Sequence, residues 1–194
     1  MTERPRASRP RRPAAQTRQA IHDAAHELFS REGFDAVGIR AIAARAGVDA
    51  ALVVRHFGSK ERLFLETMTV DLAAARVMEG PLDGLGRALV EHIVTLPSSR
   101  AGEMAVTSLT ALFQASDRSE VETALRETIR QAIAEPLVRR LGTEDAEVRA
   151  HLVAAQIGGL LTSLHVVHDP VLLAADRGLL TARYGDALQA LIDT

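Results

Sequence analysis

The sequence contains no cysteine. It therefore has neither a disulfide framework nor a thiolate metal site, and the fold must depend on packing alone, as suits a reducing cytoplasm. Long apolar runs are absent as well, because charged or polar residues interrupt every helical pattern before the roughly eighteen apolar residues that a membrane span needs. Residues 1–15 lack the apolar core of a secretory signal. We therefore expect a cytoplasmic protein that has no membrane partner.

Aromatic residues are few, with five Phe and one Tyr among 194 residues. A ligand site in this chain therefore offers few platforms for stacking, and we expect its ligand to be aliphatic. The sequence also lacks a glycine-rich phosphate loop, a nucleophile elbow and paired catalytic ligands. These absences argue against an enzyme and against a bound cofactor.

The net charge of -2 is unevenly distributed along the chain. Residues 1–65 contain 12 Arg and Lys against 7 Asp and Glu, whereas residues 66–194 contain 11 against 18. A basic front end on an acidic body favours a polyanion that is approached from one end. The alternative is an arginine-rich tail that is simply solvated.

The first helices can be placed from periodicity and from their end signals. Residues 1–14 are rich in Arg and Pro and contain too few apolar groups to offset the entropy of ordering, so we predict a disordered basic arm. Apolar residues then recur at helical spacing from Ala15 until Gly33, which ends the first predicted helix. A second helix is predicted over residues 39–46, followed by a glycine stop at Gly47.

Gly47 and Val48 form a tight turn between this second helix and a third one, the arrangement of a helix-turn-helix. Asp49 is a good N-cap for the third helix, which is predicted over residues 50–56. A short helix with an exposed face fits the major groove of DNA. We therefore predict a DNA-binding domain over residues 15–62.

The residues of this domain resemble those of the DNA-binding domain of the TetR family of bacterial repressors. The matching positions, at family spacing, are Ala24-Ala25, Leu28-Phe29, Gly33-Phe34, Ile42-Ala43, Ala46-Gly47-Val48, Leu52, and His56-Phe57-Gly58-Ser59-Lys60-Glu61 followed by Leu63-Phe64. They cover about fifty residues, and a different helical DNA-binding module is the alternative. The resemblance implies an all-α fold, with an N-terminal three-helix helix-turn-helix domain and a C-terminal helical ligand-binding and dimerisation domain over residues 63–194.

The implied function is that of a ligand-responsive transcriptional regulator. It would act as a repressor that a small apolar or amphipathic inducer releases from a near-palindromic double-stranded DNA operator. The resemblance assigns Lys60, at the start of the fourth helix, to a phosphate, and Arg55 to a guanine or a phosphate. The complete set of predicted DNA-binding residues is Arg40, Asp49, Ala50, Ala51, Arg55, His56 and Lys60.

Two positions depart from the family pattern. Val54 stands where the family usually has an aromatic residue that touches the DNA backbone, and Gly38 stands where Ser or Thr usually caps the second helix and binds a phosphate. Arginines of the basic arm could compensate by entering a minor groove; these are Arg9, Arg11 and Arg12. The alternative is a TetR-like helical sensor or interaction protein with weak or absent DNA binding.

The body of the chain is predicted to be helical throughout. Ser59 caps a long helix from Lys60 to about Glu79, and Pro136 is expected to kink a later one. The remaining predicted helices span residues 83–96, 101–115, 119–141, 145–167 and 177–193.

Small and apolar residues form a stripe along the helix over 145–167, which resembles the dimerising helix of the family. The stripe consists of Val148, Leu152, Ala155, Gln156, Gly159 and Ser163. It is expected to pair with Leu179, Leu180, Ala187, Leu188 and Leu191 of the last helix. Together they would build a homodimer interface of four helices, unless the two helices only form core within one chain.

A ligand cavity is expected among the helices between residues 60 and 167, where polar groups interrupt apolar faces. The predicted ligand-binding residues are Met68, His92, Leu109, Phe113, Gln156 and His165. Two histidine pairs, His22 with His26 and His165 with His168, have spacings that can bind a metal. We predict no metal site, because the first pair has no third ligand nearby and residues such as the second usually cap helices or face solvent.

Overall fold

The computed structural model describes residues 13–68 and 74–193, and within these ranges every regular element is a helix. The predicted all-α fold is confirmed. The chain divides into two compact units, Met1–Thr67 and Met68–Thr194, a division slightly beyond the predicted 62/63 boundary. The predicted disordered arm lies outside the described residues except at its end, where Ala14 already begins the first helix.

The N-terminal unit contains four helices. They are α1 (Ala14–Ala36), α2 (Ile39–Ala46), α3 (Ala50–Phe57) and α4 (Lys60–Thr67). The bounds predicted for α2 are confirmed, and α3 extends one residue beyond its prediction. The predicted cap of α4 is also confirmed, because Ser59 Oγ accepts a hydrogen bond of 3.0 Å from the backbone N–H of Arg62.

Helix α1 does not end at Gly33, as the sequence predicted. The helical segment continues to Ala36 across a kink at Gly33, whose φ of 77° and ψ of 174° belong to a region that is essentially restricted to glycine. The kink therefore redirects the chain without ending the helix. Phe34, directly after the kink, is buried.

Three of the five phenylalanines form the centre of this unit. The rings of Phe29 and Phe34 stack with centroids 6.0 Å apart, and Phe64 meets both edge-on at 5.1 and 5.0 Å. Edge-to-face pairs add about 0.5–1.5 kcal/mol each to the burial of the rings. The start of α4 is thereby held against both sides of the α1 kink.

The C-terminal unit consists of shorter and longer helices in sequence. They are α5 (Ala74–Met78), α6 (Leu85–Thr95), a 3-10 turn (Leu96–Ser98), α7 (Arg100–Gln114), α8 (Ser119–Ile129), a π turn (Arg130–Ala134), α9 (Glu135–Leu141), α10 (Ala146–His165), α11 (Pro170–Ala174) and α12 (Arg177–Asp193). The helices predicted for the body all occur, with small shifts at their ends. Helix α11 was not predicted, and the predicted helix from Lys60 to Glu79 crosses residues outside the described ranges.

The expected kink at Pro136 takes the form of a π turn. Proline has no N–H with which to pair the carbonyl of Ala132, as an α-helix would require. Instead the N–H of Glu135 bonds to the carbonyl of Arg130, five residues earlier, and the helix is wider there by one residue. Ile133 and Ala134 of this turn are buried.

Helices α6 and α12 approach each other at two glycines. A Cβ on Gly86 would lie 2.6 Å from the backbone nitrogen of Gln189, and a Cβ on Gly185 would lie 2.7 Å from Cα of Arg87. Real side chains essentially never come so close to backbone atoms. Only glycine at both positions allows this contact.

Arg149 fastens the end of α12 to α10. Its side chain is 8% exposed, and it donates to the carbonyls of Leu191 and Ile192 at 2.8 and 2.6 Å. These carbonyls belong to the last turn of α12, where a helix has no backbone donors of its own. A cation at the negative end of the helix dipole is favourable as well.

Candidate nucleic-acid interface

The turn between α2 and α3 is built on Gly47. This residue adopts the left-handed conformation, with φ of 69° and ψ of 35°, and Val48 N–H donates to the carbonyl of Ala43 at 3.0 Å. Asp49 then starts α3, because its Oδ1 accepts a 2.8 Å hydrogen bond from Ala51 N–H. The turn therefore closes one helix and opens the next within three residues, as predicted for a helix-turn-helix.

Helix α3 has one buried and one exposed face. Val53 and Phe57 are buried, with exposed fractions of 0% and 4%. Ala51, Val54 and Arg55 lie on the opposite face and are exposed. Positions three and four residues apart share one side of a helix, so these three side chains form a single surface.

Two further predicted residues lie at the ends of this surface, and a third lies before it. Asp49 is exposed, but its carboxylate is already engaged as the cap of α3. Ala50 and His56 are half-buried. Arg40 is exposed in the first turn of α2.

The ammonium of Lys60 lies over the ring of Phe34, 4.1 Å from its centroid. A cation over an aromatic face is attracted by the electrons of the ring. The predicted phosphate-binding lysine is therefore held at the N-terminus of α4 by the aromatic cluster. Sequence reasoning missed a neighbouring cation, because Arg62 is also exposed in this first turn.

Other arginines of the unit are engaged within it. Arg18 pairs with Glu66 and stacks on the ring of Phe57 at 4.7 Å, and Arg45 pairs with Glu27 at 2.6 Å. These residues stabilise the unit and are poorly placed to bind DNA. Composition alone does not distinguish them from Arg40 and Arg55.

Gly38 precedes α2 in an extended conformation, with φ of -102° and ψ of 156°. Its carbonyl accepts from the N–H groups of Ala41 and Ile42, but no side chain caps the helix. A Cβ at this position would meet nothing within 4 Å. The backbone therefore suits serine or threonine as well as glycine.

Much of the stripe predicted for dimerisation is exposed on the single chain. On α10, Val148 and Leu152 are 63% and 47% exposed, and on α12 Leu179 is 52% exposed. A Cβ on Gly158 would meet nothing within 4 Å, and one on Gly159 only the hydroxyl of Tyr184 at 3.9 Å. Packing within the chain therefore does not require these two glycines.

Leu188 was expected in the same interface, but it is 0% exposed in the single chain. It lies one turn from Gly185, on the part of α12 that is packed within the unit. Its assignment to the dimer interface is wrong, because it is already core.

A small apolar cavity of about 20 Å³ lies in the C-terminal unit. Its lining comes from α6, the 3-10 turn, the π turn and α10, and consists of Leu89, His92, Ile93, Leu96, Ile133, Ile157 and Leu161. Of the predicted ligand residues, only His92 belongs to this lining. The cavity holds about one water, far less than a usual ligand site of roughly 300 Å³ or more.

The other predicted ligand residues are not gathered at this cavity. Met68 and Leu109 are buried, whereas Phe113 and Gln156 are half-buried. A wider groove of about 350 Å³ lies between α6 and the start of α12, but its lining includes none of them. That lining is Arg87, Glu91, Val94, Thr95, Arg177, Gly178, Thr181 and Ala182.

His165, also predicted to bind ligand, lies close to the cavity. It follows Leu161 by one turn on α10, and its ring is hydrogen-bonded to the backbone of Ile93, another lining residue. Burial lowers the pKa of His165, the Ile93 backbone partly offsets this, and nearby His168 lowers the pKa further. Its Nε2 is buried and has no hydrogen-bond partner among the described residues.

Comparison with known proteins places this architecture in a family. Residues 21–67 match the family model described as bacterial regulatory proteins, tetR family, and residues 83–192 match the tetracyclin repressor-like C-terminal domain. A helix-turn-helix unit is thus followed by the sensor-type helical domain of the same group. The chain belongs to the TetR family.

Individual relatives agree with this assignment. A TetR-family regulator from Streptomyces coelicolor is 33% identical, with a TM-score of 0.60, over 96% of this chain and 100% of that one. The transcriptional repressor Rv3405c of Mycobacterium tuberculosis is 39% identical over 97 residues, which are 47% of this chain and 52% of the relative. The match thus spans about half of that curated relative. NalD of Pseudomonas aeruginosa, 21% identical with a TM-score of 0.65, shares the fold over 93% of this chain and 96% of its own.

Two further findings concern other kinds of site. Within residues 13–68 and 74–193, no group of three or more His, Asp or Glu side chains is arranged to hold a metal ion. Over the same ranges, no helix combines the length and the apolar character needed to cross a membrane.

Proposed function

We propose that this protein is a cytoplasmic, homodimeric transcriptional repressor that binds a near-palindromic operator and leaves it when a small apolar or amphipathic molecule binds the C-terminal unit. The observation that carries the proposal is the exposed face of α3. This face is formed by Ala51, Val54 and Arg55 on a helix whose other side is anchored in the core. Family membership of both units supports it.

Arg55 and Val54 supply the sequence readout. An exposed arginine on a helix in the major groove can bind O6 and N7 of guanine, and each such bidentate pair contributes about 1–3 kcal/mol of discrimination. Val54 takes the place of a backbone-binding aromatic residue, and its exposed methyl groups suit contact with the methyl group of thymine. Ala50 and Ala51 keep the front of the helix small enough to approach the base edges.

Contacts to the DNA backbone set the orientation of the unit. Lys60 and the exposed Arg40 bind phosphates, joined by Arg62 in the first turn of α4. His56 contacts the backbone at the end of α3, and Asp49 acts mainly by capping that helix. The arm arginines Arg9, Arg11 and Arg12 add contacts, although they lie outside the described residues.

A second copy of the chain covers the exposed stripe of α10 and α12. Exposed Val148, Leu152 and Leu179 supply apolar area, and Gly158 and Gly159 leave room for the backbone of a partner helix. An isologous contact of two such helix pairs forms a four-helix interface. It presents two recognition helices, whose half-sites lie one helical turn of DNA apart or farther.

The inducer acts by stabilising a conformer that binds DNA less well, which is the only way in which a ligand can shift such an equilibrium. His92 and His165 are the predicted ligand residues that lie at or beside the apolar cavity. Met68, Leu109, Phe113 and Gln156 remain predictions for a wider form of the site.

The second candidate function is a TetR-like sensor or interaction protein with weak DNA binding. Two observations favour it, because Val54 and Gly38 each remove a phosphate contact that the family usually has. The two candidates differ in one measurable property, which is salt-dependent, sequence-selective binding of DNA.

A gel-shift titration of the ligand-free protein on the DNA upstream of its own gene tests the proposal. We expect a selective complex whose affinity falls steeply with salt, because phosphate contacts release counterions. Arg31→Ala, a change to an exposed arginine of α1, serves as the matched control for changes in α3. A protein that binds neither this DNA nor a genomic library selectively would favour the second candidate.

A further inference from the structure

His165 has a buried nitrogen that the folded unit leaves without a partner. Its Nε2 is inaccessible to solvent and makes no hydrogen bond to any described residue. Most buried polar atoms are hydrogen-bonded, and an unpaired one costs about 1–3 kcal/mol. Such an atom beside a cavity therefore marks a place where a ligand can gain a hydrogen bond.

The imidazole is fixed on the side of the cavity where α6 meets α10. Its ring is hydrogen-bonded to the backbone of Ile93, and the side chains of Ile93 and Leu161 line the cavity. His165 follows Leu161 by four residues and shares its face of α10. The apolar lining and the unpaired nitrogen are therefore neighbours.

The chemistry of the two parts differs. The lining contains six aliphatic side chains and His92, with no aromatic ring other than that imidazole and no carboxylate or ammonium group. It suits an alkyl chain. A histidine whose ring N–H is directed to the Ile93 carbonyl presents a lone pair at its other nitrogen, and that lone pair accepts a hydrogen bond.

We propose that this site binds a neutral aliphatic alcohol, with the alkyl chain in the cavity between α6, the π turn and α10 and with the hydroxyl donating to Nε2 of His165. The inference rests on the proposed function, since it makes the alcohol the inducer. Because burial keeps His165 neutral, a hydroxyl fits better than a carboxylate, which would have to be desolvated without a cation to pair with.

The π turn is the wall that yields. In the structure the cavity holds about one water, so an alkanol binds only after the lining moves apart. Ile133 stands on the π turn, where the helix already carries an extra residue and Pro136 interrupts the α-helical bonding. A shift of this turn costs fewer regular hydrogen bonds than a shift in the middle of α6 or α10.

Calorimetric titration of the full-length protein with two isomers tests the proposal without any mutation. The probes are 1-hexanol, which has an O–H donor, and 1-methoxypentane, which has the same atoms and only an acceptor. We expect 1-hexanol to bind about five-fold more tightly, the value of one hydrogen bond. Hexanoate is expected to bind more weakly than either. Equal affinities, or a preference for the ether, would overturn the role of Nε2.

The variant His165→Leu is expected to abolish the preference for 1-hexanol, whereas His165→Gln, which keeps an acceptor, retains part of it. His151→Leu, on an exposed position of the same helix, is the matched control and is expected to leave the preference unchanged. Retention of the preference in His165→Leu would contradict the proposal. If His165→Leu does not fold, the comparison of isomers on the unaltered protein still decides.

The outcomes also separate this inference from the proposed function. A protein that binds its operator but none of the three probes has the proposed function and lacks the proposed site. A protein that prefers 1-hexanol but binds no DNA has the site and lacks the function. If 1-hexanol binds selectively but does not release the operator, the site stands and its role as inducer site falls.

Discussion

The two units of this chain hold their helices together in different ways. In the N-terminal unit large side chains fill the core, and the rings of Phe29, Phe34 and Phe64 meet at its centre. In the C-terminal unit α6 and α12 meet through the absence of side chains at Gly86 and Gly185. A core of large residues tolerates small adjustments, whereas a contact between two backbones does not.

The largest expected effect comes from Gly86→Ala. The added methyl group would collide with the backbone of α12, so we expect a loss of about 3 kcal/mol in the free energy of unfolding of the C-terminal unit, at the upper end for overpacked cores. Urea denaturation followed by circular dichroism measures it. The control is Gly158→Ala, where a Cβ meets nothing within 4 Å. Equal effects of the two changes would contradict the backbone contact.

Arg149→Met is expected to cost about 2 kcal/mol in the same measurement, because two carbonyls at the end of α12 lose a charged donor. Arg87→Met is the matched control. Arg87 pairs with Asp186 at 2.6 Å, but both side chains are more than half exposed, so its loss is expected to stay within about 0.5 kcal/mol. If both variants lost the same stability, the buried position of Arg149 would not matter.

Arg55→Ala tests the N-terminal unit, where function and not packing is at stake. We expect the affinity for the operator to fall at least about ten-fold, because one bidentate base contact is lost, while the thermal midpoint stays unchanged. Fluorescence anisotropy with labelled operator DNA measures the affinity, and Arg31→Ala provides the control. A variant that binds the operator normally would remove Arg55 from the recognition surface.

Gly38→Ser is expected to stabilise the N-terminal unit by a few tenths of a kcal/mol, because serine can cap α2 and the backbone already has the required conformation. The new hydroxyl also lies where the family usually binds a phosphate, so operator affinity should rise. Thermal denaturation and anisotropy titration check the two effects. A loss of either would mean that glycine is required there.

The smallest effect concerns pH. Burial lowers the pKa of His165 in the folded protein, so the unfolded chain takes up its proton first, near the ordinary value of 6.5. The free energy of unfolding should therefore decrease as the pH falls from about 6.5 through the folded pKa. The decrease is small, since the ring is only partly buried. Comparison with His165→Leu isolates it from the other histidines, and identical slopes would contradict the assignment.

Local signals explain why the N-terminal unit could be predicted closely. Gly47 and Asp49 act on their own neighbours in the chain, so their effect on the turn and on α3 is visible in a few consecutive residues. The exposed face of α3 followed from the same short pattern. What escaped was the kink at Gly33, because a glycine that ends a helix and one that bends it look alike.

The C-terminal unit was predictable as a set of helices, but not in the contacts that hold it. Gly86 and Gly185 are far apart in the chain, and neither position shows which glycine it meets. Arg149 resembled any exposed helical arginine until α12 was seen to end beside it. The π turn likewise depends on how Pro136 is accommodated, and the ligand residues depend on which helices enclose the cavity.

The position of Lys60 over Phe34 means that the operator and the protein compete for one cation. Each phosphate that draws this ammonium away must first replace what the ring supplies, so part of the energy of complex formation is spent in dismantling an internal attraction. A leucine at position 34 would end that rivalry: the repressor would hold DNA more firmly and its own fold less so.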